Sequence, residues 1–150
     1  MTSDPHWQLP DPETAPEYYQ DVAFKRFVAW IVDIFAVLVL SLLVLPFTAF
    51  VGLFFFGLIY LAVSFLYRFA SIASYSATPG MRLVSIELRR TDGTYFDTLT
   101  AFLHTFLYLF FSTIFVLQIV SVGLMVISPR GQGLHDLALG TAALNKSRQY

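Results

Sequence analysis

The chain has 150 residues, of which 57% are hydrophobic and 17% aromatic, and its formal net charge is −1. The apolar share excludes an ordinary soluble domain, and the charge excludes a nucleic-acid binder, since phosphate requires a basic patch. The lack of cysteine excludes disulfides, thiolate metal sites and cysteine nucleophiles. The sequence therefore predicts an integral membrane protein of one domain, with the lipid bilayer as a partner.

The N-terminal end differs in composition from everything that follows. Residues 1–20 hold four of the seven prolines and four acids, and they lack the basic and apolar run of a cleavable signal peptide. We expect residues 1–20 to form a flexible polar tail and residues 21–147 to form the membrane domain.

Residues 27–67 and 101–127 contain no lysine or arginine, which marks them as the membrane-embedded segments. A crossing takes about 20 apolar residues, so the first segment accommodates two helices joined by a short turn. We expect the first helix at residues 27–45, a turn within residues 46–52, and a second helix at residues 51–67 that ends at Arg68.

The polar segment at residues 68–100 carries four basic residues and three acids. The positive-inside rule assigns it to the cytoplasm, together with Lys25 and Arg26. Within it, alternating apolar residues followed by Asp92 and Gly93 predict a short cytoplasmic β-hairpin. Residues 140–146 are a candidate third strand.

The third apolar segment, residues 101–127, would be about 40 Å long as one straight helix, which exceeds the roughly 30 Å hydrocarbon core. Two topologies remain: three simple crossings with the C-terminus outside, or a bent or re-entrant third segment with both termini inside. We favour the second, with the break near residues 118–123, because basic residues outnumber acids after it. The predicted fold class is an all-α membrane protein, a small bundle of three hydrophobic segments plus the hairpin.

The first helix carries two ionisable residues on one face. Arg26 and Asp33 lie about 10 Å apart along the axis, so we do not expect a direct pair between them. Asp33 is too short to reach the headgroups, and an unpaired carboxylate at that depth costs about 3 kcal/mol. It is either hydrogen-bonded at a helix interface or an ion or proton site.

The third segment places His104, Tyr108 and Ser112 on one helical face. His104 can titrate near neutral pH, which makes it either a candidate relay toward Asp33 or a packing residue. With Asp33, these three residues form the candidate ion or proton site. The stripe offers too few ligands for a metal, so we expect no metal or other cofactor.

The loop before residues 134–136 (LHD) returns the chain to the membrane surface. We expect Asp136 to meet Arg26 there as a structural ion pair. His135 and Asp136 are adjacent residues that diverge in direction, and the sequence has no GxSxG nucleophile motif, so we do not expect an enzyme.

Three motifs in this order, FKRFVAWIVD (24–33), TPGMR (78–82) and GLHD followed by GT (133–141), give the chain its family resemblance. The chain resembles the RDD family of bacterial membrane proteins over about residues 21–145. Arg26 stands at the family's arginine, with Asp33 and Asp136 at its two aspartates. Met81 departs from the usual lysine. The resemblance implies a role in transport, such as the sodium/proton exchange suggested for some members.

Two functions follow as expectations. The first is a multi-pass protein of the bacterial inner membrane, with its N-terminus in the cytoplasm, that moves a small ion or solute in a proton- or cation-linked process. About three helices enclose little volume, so such a transporter would be an oligomer. The alternative is a non-catalytic membrane module that binds or assembles a partner membrane protein.

Overall fold

A computed structural model describes residues 8–146, so residues 1–7 of the expected tail and residue 147 of the expected domain lie outside the described residues. Within that range, the chain forms six α-helices and one sheet of two short strands. Two short helices, the sheet and the start of the first long helix gather at one end of the molecule, where most of the buried apolar side chains cluster.

Helices α1 (Val22–Val44) and α2 (Phe56–Tyr75) are both long and apolar enough to cross a membrane. Two 3-10 turns, Leu45–Thr48 and Val51–Leu53, join them where the turn was predicted. The prediction that the second helix ends at Arg68 was wrong, because α2 continues for almost two more turns. Arg68 is only 6% exposed and therefore faces protein, whereas a helix-ending arginine would reach the headgroups.

The third apolar segment is bent, as predicted. The chain direction bends by 118° between helices α4 (Thr98–Thr113) and α5 (Phe115–Ile127). The break lies at Ile114, whose backbone is extended (φ −105°, ψ 102°), so the predicted break at 118–123 was wrong. Just before it, the hydroxyls of Ser112 and Thr113 donate to carbonyls one turn back, at 2.6 and 2.7 Å, a local pattern that bends helices.

The bent segment returns to the end from which it started. Helices α4 and α5 are about 24 and 20 Å long, so neither spans the roughly 30 Å core alone. Helix α6 (Leu134–Leu139) contacts both of them, since Asp136 bonds to His104 of α4 and the Leu134 N–H donates to Ser121 Oγ of α5. Helices α4 and α5 therefore form a helical hairpin.

The sheet pairs two segments that are distant in sequence. Strand β1 (Ile86–Arg90) runs antiparallel to β2 (Thr141–Asn145), with Leu88 opposite Ala143. The candidate strand at 140–146 is confirmed, but the hairpin was wrong. After the turn at Asp92 and Gly93 the Phe96 N–H donates to Ser76 Oγ at 2.7 Å, which draws the chain to the end of α2.

Residues 8–20, expected to be part of a flexible tail, lie against this sheet. The Gln8 N–H donates to the Thr91 carbonyl at 2.7 Å, and Asn145 Nδ2 donates to the carbonyls of Glu17 and Gln20, each at 2.8 Å. Leu9 is buried against strand β2. The described part of this segment therefore covers the face of the small sheet that points away from the main core.

The end of the molecule opposite the small sheet carries exposed apolar side chains. Phe47 is 91% exposed and Phe54 is 88% exposed, and many other large apolar side chains of α1, α2 and α5 are exposed as well. Exposed apolar area on this scale is unusual for a soluble monomer. The apolar helices fit a membrane protein.

Candidate functional site

Asp33 lies where the short helix α3 (Pro79–Leu83) begins directly against α1. A Cβ added to Gly80 would lie 2.8 Å from Asp33 Oδ1 and would collide with the Ala29 carbonyl oxygen. Only glycine allows this close approach. The TPG sequence therefore brings the N-terminus of α3 onto the carboxylate.

The Asp33 carboxylate is 4% exposed and accepts hydrogen bonds at both oxygens. Tyr67 Oη and the Gly80 N–H each donate to Oδ1 at 2.9 Å, and the Thr78 hydroxyl donates to Oδ2. Arg68 Nη1 lies 3.9 Å from Oδ2. Asp33 thus occupies a hydrogen-bonded position between helices, and its role as an ion or proton site remains a prediction.

Arg26 and Asp136 form a buried ion pair, as expected from their placement at one end of the chain's apolar segments. Arg26 Nη1 lies 2.7 Å from Asp136 Oδ2, and the two side chains are 7% and 0% exposed. Arg26 Nη1 also lies 3.4 Å from the Gly131 carbonyl oxygen, and Nη2 lies 3.2 Å from His135 Nε2. The pair therefore holds the start of α1 against α6.

Asp136 joins four parts of the fold. Oδ1 contacts His104 Nε2 at 2.9 Å and accepts from the Thr141 hydroxyl at 3.1 Å, while the Gly133 N–H donates to Oδ2 at 3.1 Å. His104, which we considered as a relay toward Asp33, contacts Asp136 instead. The reason is that α6 packs on the first turns of α4, where His104 lies.

The charges in this cluster follow from burial and from Arg26. Burial favours a protonated carboxyl, but the Arg26 guanidinium and the neighbouring histidines outweigh it and hold the pKa of Asp136 well below its ordinary value. Burial lowers the pKa of His135 well below its ordinary value, although Asp136 acts in the opposite direction. Asp136 is therefore ionised and His135 neutral near pH 7, and His135 Nε2 accepts from Arg26.

His104, His135 and Asp136 also place three possible metal-ligand atoms within 4.8 Å of one another. The Arg26 guanidinium already occupies the position of a bound cation, because it lies 2.7 Å from Asp136 Oδ2 and 3.2 Å from His135 Nε2. A metal would have to displace that guanidinium. The arrangement fits an ion pair better than a metal centre.

Arg68 is a candidate site residue that the sequence interpretation missed. Its guanidinium carbon lies 3.8 Å from the centroid of the Tyr108 ring, and its Nε is buried with no hydrogen-bond partner among residues 8–146. The hydropathy pattern predicts only a helix end at Arg68. The signal that identifies it is the spacing of four in α2, where Ser64, Arg68 and Ile72 form the buried face.

A groove runs beside α1, between that helix and the α4–α5 hairpin. It consists of two adjoining cavities, a polar lobe of about 260 Å³ and an apolar lobe of about 620 Å³. Five residues line both lobes: Trp30, Asp33, Arg68, Tyr108 and Gln118. Along α1 the lining extends from residue 23 to residue 37, a length of about 20 Å.

The groove separates the predicted site residues into two groups. Asp33 and Tyr108 line both lobes, and Ser112 lines the polar lobe. Arg26 reaches the apolar lobe while it is paired with Asp136. His104 does not line either lobe, so the structure does not bring it together with the other three ion-site candidates.

The model of the RDD family matches residues 22–140 of this chain. Neither the curated proteins nor the solved structures gave a match. The family match includes Arg26, Asp33 and Asp136, and it covers all of the helices that form the groove.

Proposed function

Because the chain belongs to the RDD family, we propose that it is a multi-pass protein of the bacterial inner membrane that moves a small ion or solute. The family and the apolar helices fit a membrane protein. The observation that supports transport is the groove, which places Arg26, Asp33 and Arg68 beside a cavity among apolar helices. Ionisable residues inside membrane segments commonly mark ion or substrate pathways.

The proposal places both termini in the cytoplasm. The start of α1, the sheet and α6 lie at one end of the molecule, and this end carries most of the basic residues: Lys25, Arg82, Arg89, Arg90, Arg130 and Lys146. The opposite end, with the 3-10 turns between α1 and α2, has no lysine or arginine. The positive-inside rule supports this orientation.

Self-association is part of the proposal. The groove is about 20 Å long and lies on one side of a single α1 helix, so one chain does not enclose a path across the roughly 30 Å core. A second copy of the chain would supply the missing wall. Native mass spectrometry of the protein released from nanodiscs would then give a homo-oligomer as the main species.

The central test is ion-driven proton movement in proteoliposomes that contain a pH-sensitive dye. We expect Asp33→Asn to lower the rate of proton movement after a sodium or potassium pulse by about tenfold. The reason is that Asp33 is the one carboxylate among the residues that line the two lobes. The control is Asp21→Asn, which removes the same charge from the exposed N-cap residue just before the same helix, where the side chain makes no capping hydrogen bond.

Asp33 also holds α3 against α1, so folding is measured on the same samples by size-exclusion elution and thermal melting. If a well-folded Asp33→Asn variant transports at the wild-type rate, the proposed role of the carboxylate is wrong. Gln118→Leu provides a second test, because it removes polarity from both lobes without touching Asp33. We expect it to lower the rate as well.

A second candidate function is a non-catalytic module that binds or assembles a partner membrane protein. One observation favours it: the oxygens of Asp33 and Asp136 already accept bonds from the chain itself. In that case the charged residues fix the helix geometry, and Arg26→Ala and Asp136→Ala lower the protein level. Co-purification would yield one stoichiometric partner. A stable variant without a partner would contradict this function, and neither function includes a catalytic step.

A further inference from the structure

The Arg68 guanidinium is buried without hydrogen-bonding partners. It is 6% exposed, a guanidinium has five N–H donors, and none of them is hydrogen-bonded within residues 8–146. Leaving buried charged donors unpaired is costly. Arg68 lines both lobes of the groove, so the buried side chain forms part of the cavity wall.

The residues around Arg68 do not satisfy these donors. Asp33 Oδ2 lies 3.9 Å from Arg68 Nη1, which is beyond hydrogen-bonding distance, and both Asp33 oxygens accept from other donors. Tyr108 contacts the guanidinium through its ring. A guanidinium stacked on a ring keeps its donor edge free, and that edge matches a carboxylate or phosphate bidentately.

The larger lobe beside Arg68 suits an apolar chain. Its volume is about 620 Å³, and apart from the five residues shared with the polar lobe and Arg26, every side chain that lines it is apolar: Ala23, Phe24, Phe27, Met81, Val122, Met125 and Val126. A free inorganic anion would leave this surface unused. A ligand with an acidic group at one end and an apolar chain would use both parts.

We propose that the groove binds a monoanionic amphiphile, whose carboxylate or singly charged phosphate group sits on Arg68 and whose apolar chain lies in the larger lobe. This inference rests on the proposed function, since it names a class of ligand for the same groove. The neighbouring charges limit the headgroup. Arg26 is matched by Asp136 at 2.7 Å, and the Asp33 carboxylate, 3.9 Å from Arg68, repels a singly charged headgroup less than a dianion.

Trp30 lines both lobes, so its fluorescence reports directly on ligand binding in the groove. The sequence contains two tryptophans, so Trp7→Phe leaves Trp30 as the only one. Protein in nanodiscs of zwitterionic lipid is titrated with a brominated long-chain fatty acid and, separately, with its uncharged methyl ester, both of which quench tryptophan fluorescence. We expect saturable quenching by the acid with an affinity about tenfold or more above that of the ester.

Two variants assign the effect to Arg68. In Arg68→Gln we expect the acid to lose its advantage over the ester. Arg82→Gln is the matched control, because Arg82 is exposed and its guanidinium contacts Tyr75 outside the groove, so it should keep the wild-type ratio. If Arg68→Gln does not fold, the ratio of acid to ester in the parent protein decides the question alone.

Several results would overturn the inference: equal affinity for acid and ester, no saturable quenching by either, or displacement of the acid by millimolar acetate or inorganic phosphate, which would indicate a site for small free anions. The binding test is independent of transport. Cation-driven flux without amphiphile binding contradicts only this inference, and amphiphile binding without flux contradicts only the transport proposal.

Discussion

The Arg26–Asp136 pair allows a quantitative test of how the buried charges support the fold. Asp136→Asn keeps the side-chain volume but removes the counter-charge of a guanidinium that is 7% exposed. It also replaces one oxygen with an NH₂ group, so donors that now face that oxygen lose their acceptor. Breaking a buried pair from one side costs about 3–5 kcal/mol. For a chain of this length, that loss corresponds to a fall in melting temperature on the order of 10 °C.

The assay is a double-mutant cycle measured by thermal melting in one detergent, with Arg26→Gln, Asp136→Asn and the double variant. Because each single change leaves one buried partner uncompensated, we expect the double variant to lose less stability than the sum of the two, with a coupling of about 1–3 kcal/mol. Arg90→Gln is the control, since Arg90 and Asp97 are 41% and 57% exposed and such pairs contribute under about 1 kcal/mol.

The reasoning would be refuted if Asp136→Asn melted within about 2 °C of the wild type, or if the two changes were additive. Additivity would mean that Arg26 and Asp136 act through separate neighbours. The close contact at 2.7 Å would then contribute nothing specific to the stability of the end where α1 meets α6.

Two further predictions concern packing and pH. Gly80→Ala should lower stability by about 1–3 kcal/mol, since its Cβ would collide with the Ala29 carbonyl and lie 2.8 Å from Asp33 Oδ1, whereas Gly123→Ala, with nothing within 4 Å, should change melting little. Burial lowers the pKa of His135 below its unfolded value of 6.5, so the unfolded state binds more protons and stability falls as pH drops through about 6.5. His135→Gln should flatten that part of the melting-versus-pH curve, and an unchanged slope would contradict the assignment.

The amino-acid pattern alone identified the apolar segments, favoured a bent third segment over a straight one, and marked Arg26 and Asp136 as candidates for an ion pair. These properties depend mainly on residues that are close together in the sequence. Two gaps without basic residues marked α1, α2 and the α4–α5 pair, and a straight third helix would have been longer than the bilayer core. Arg26 and Asp136 were expected to pair because both flank apolar segments at the same depth, and they lie 2.7 Å apart.

The contacts of the buried faces depend on how the segments pack together. Arg68 was expected to mark the end of the second helix, yet it stacks on Tyr108 because α4 packs against that face of α2. His104 contacts Asp136 rather than Asp33 because α6 covers the start of α4. Strand β1 pairs with β2, more than fifty residues away, instead of forming a hairpin. Hydropathy and periodicity describe each segment alone, whereas these contacts depend on which segment packs beside it.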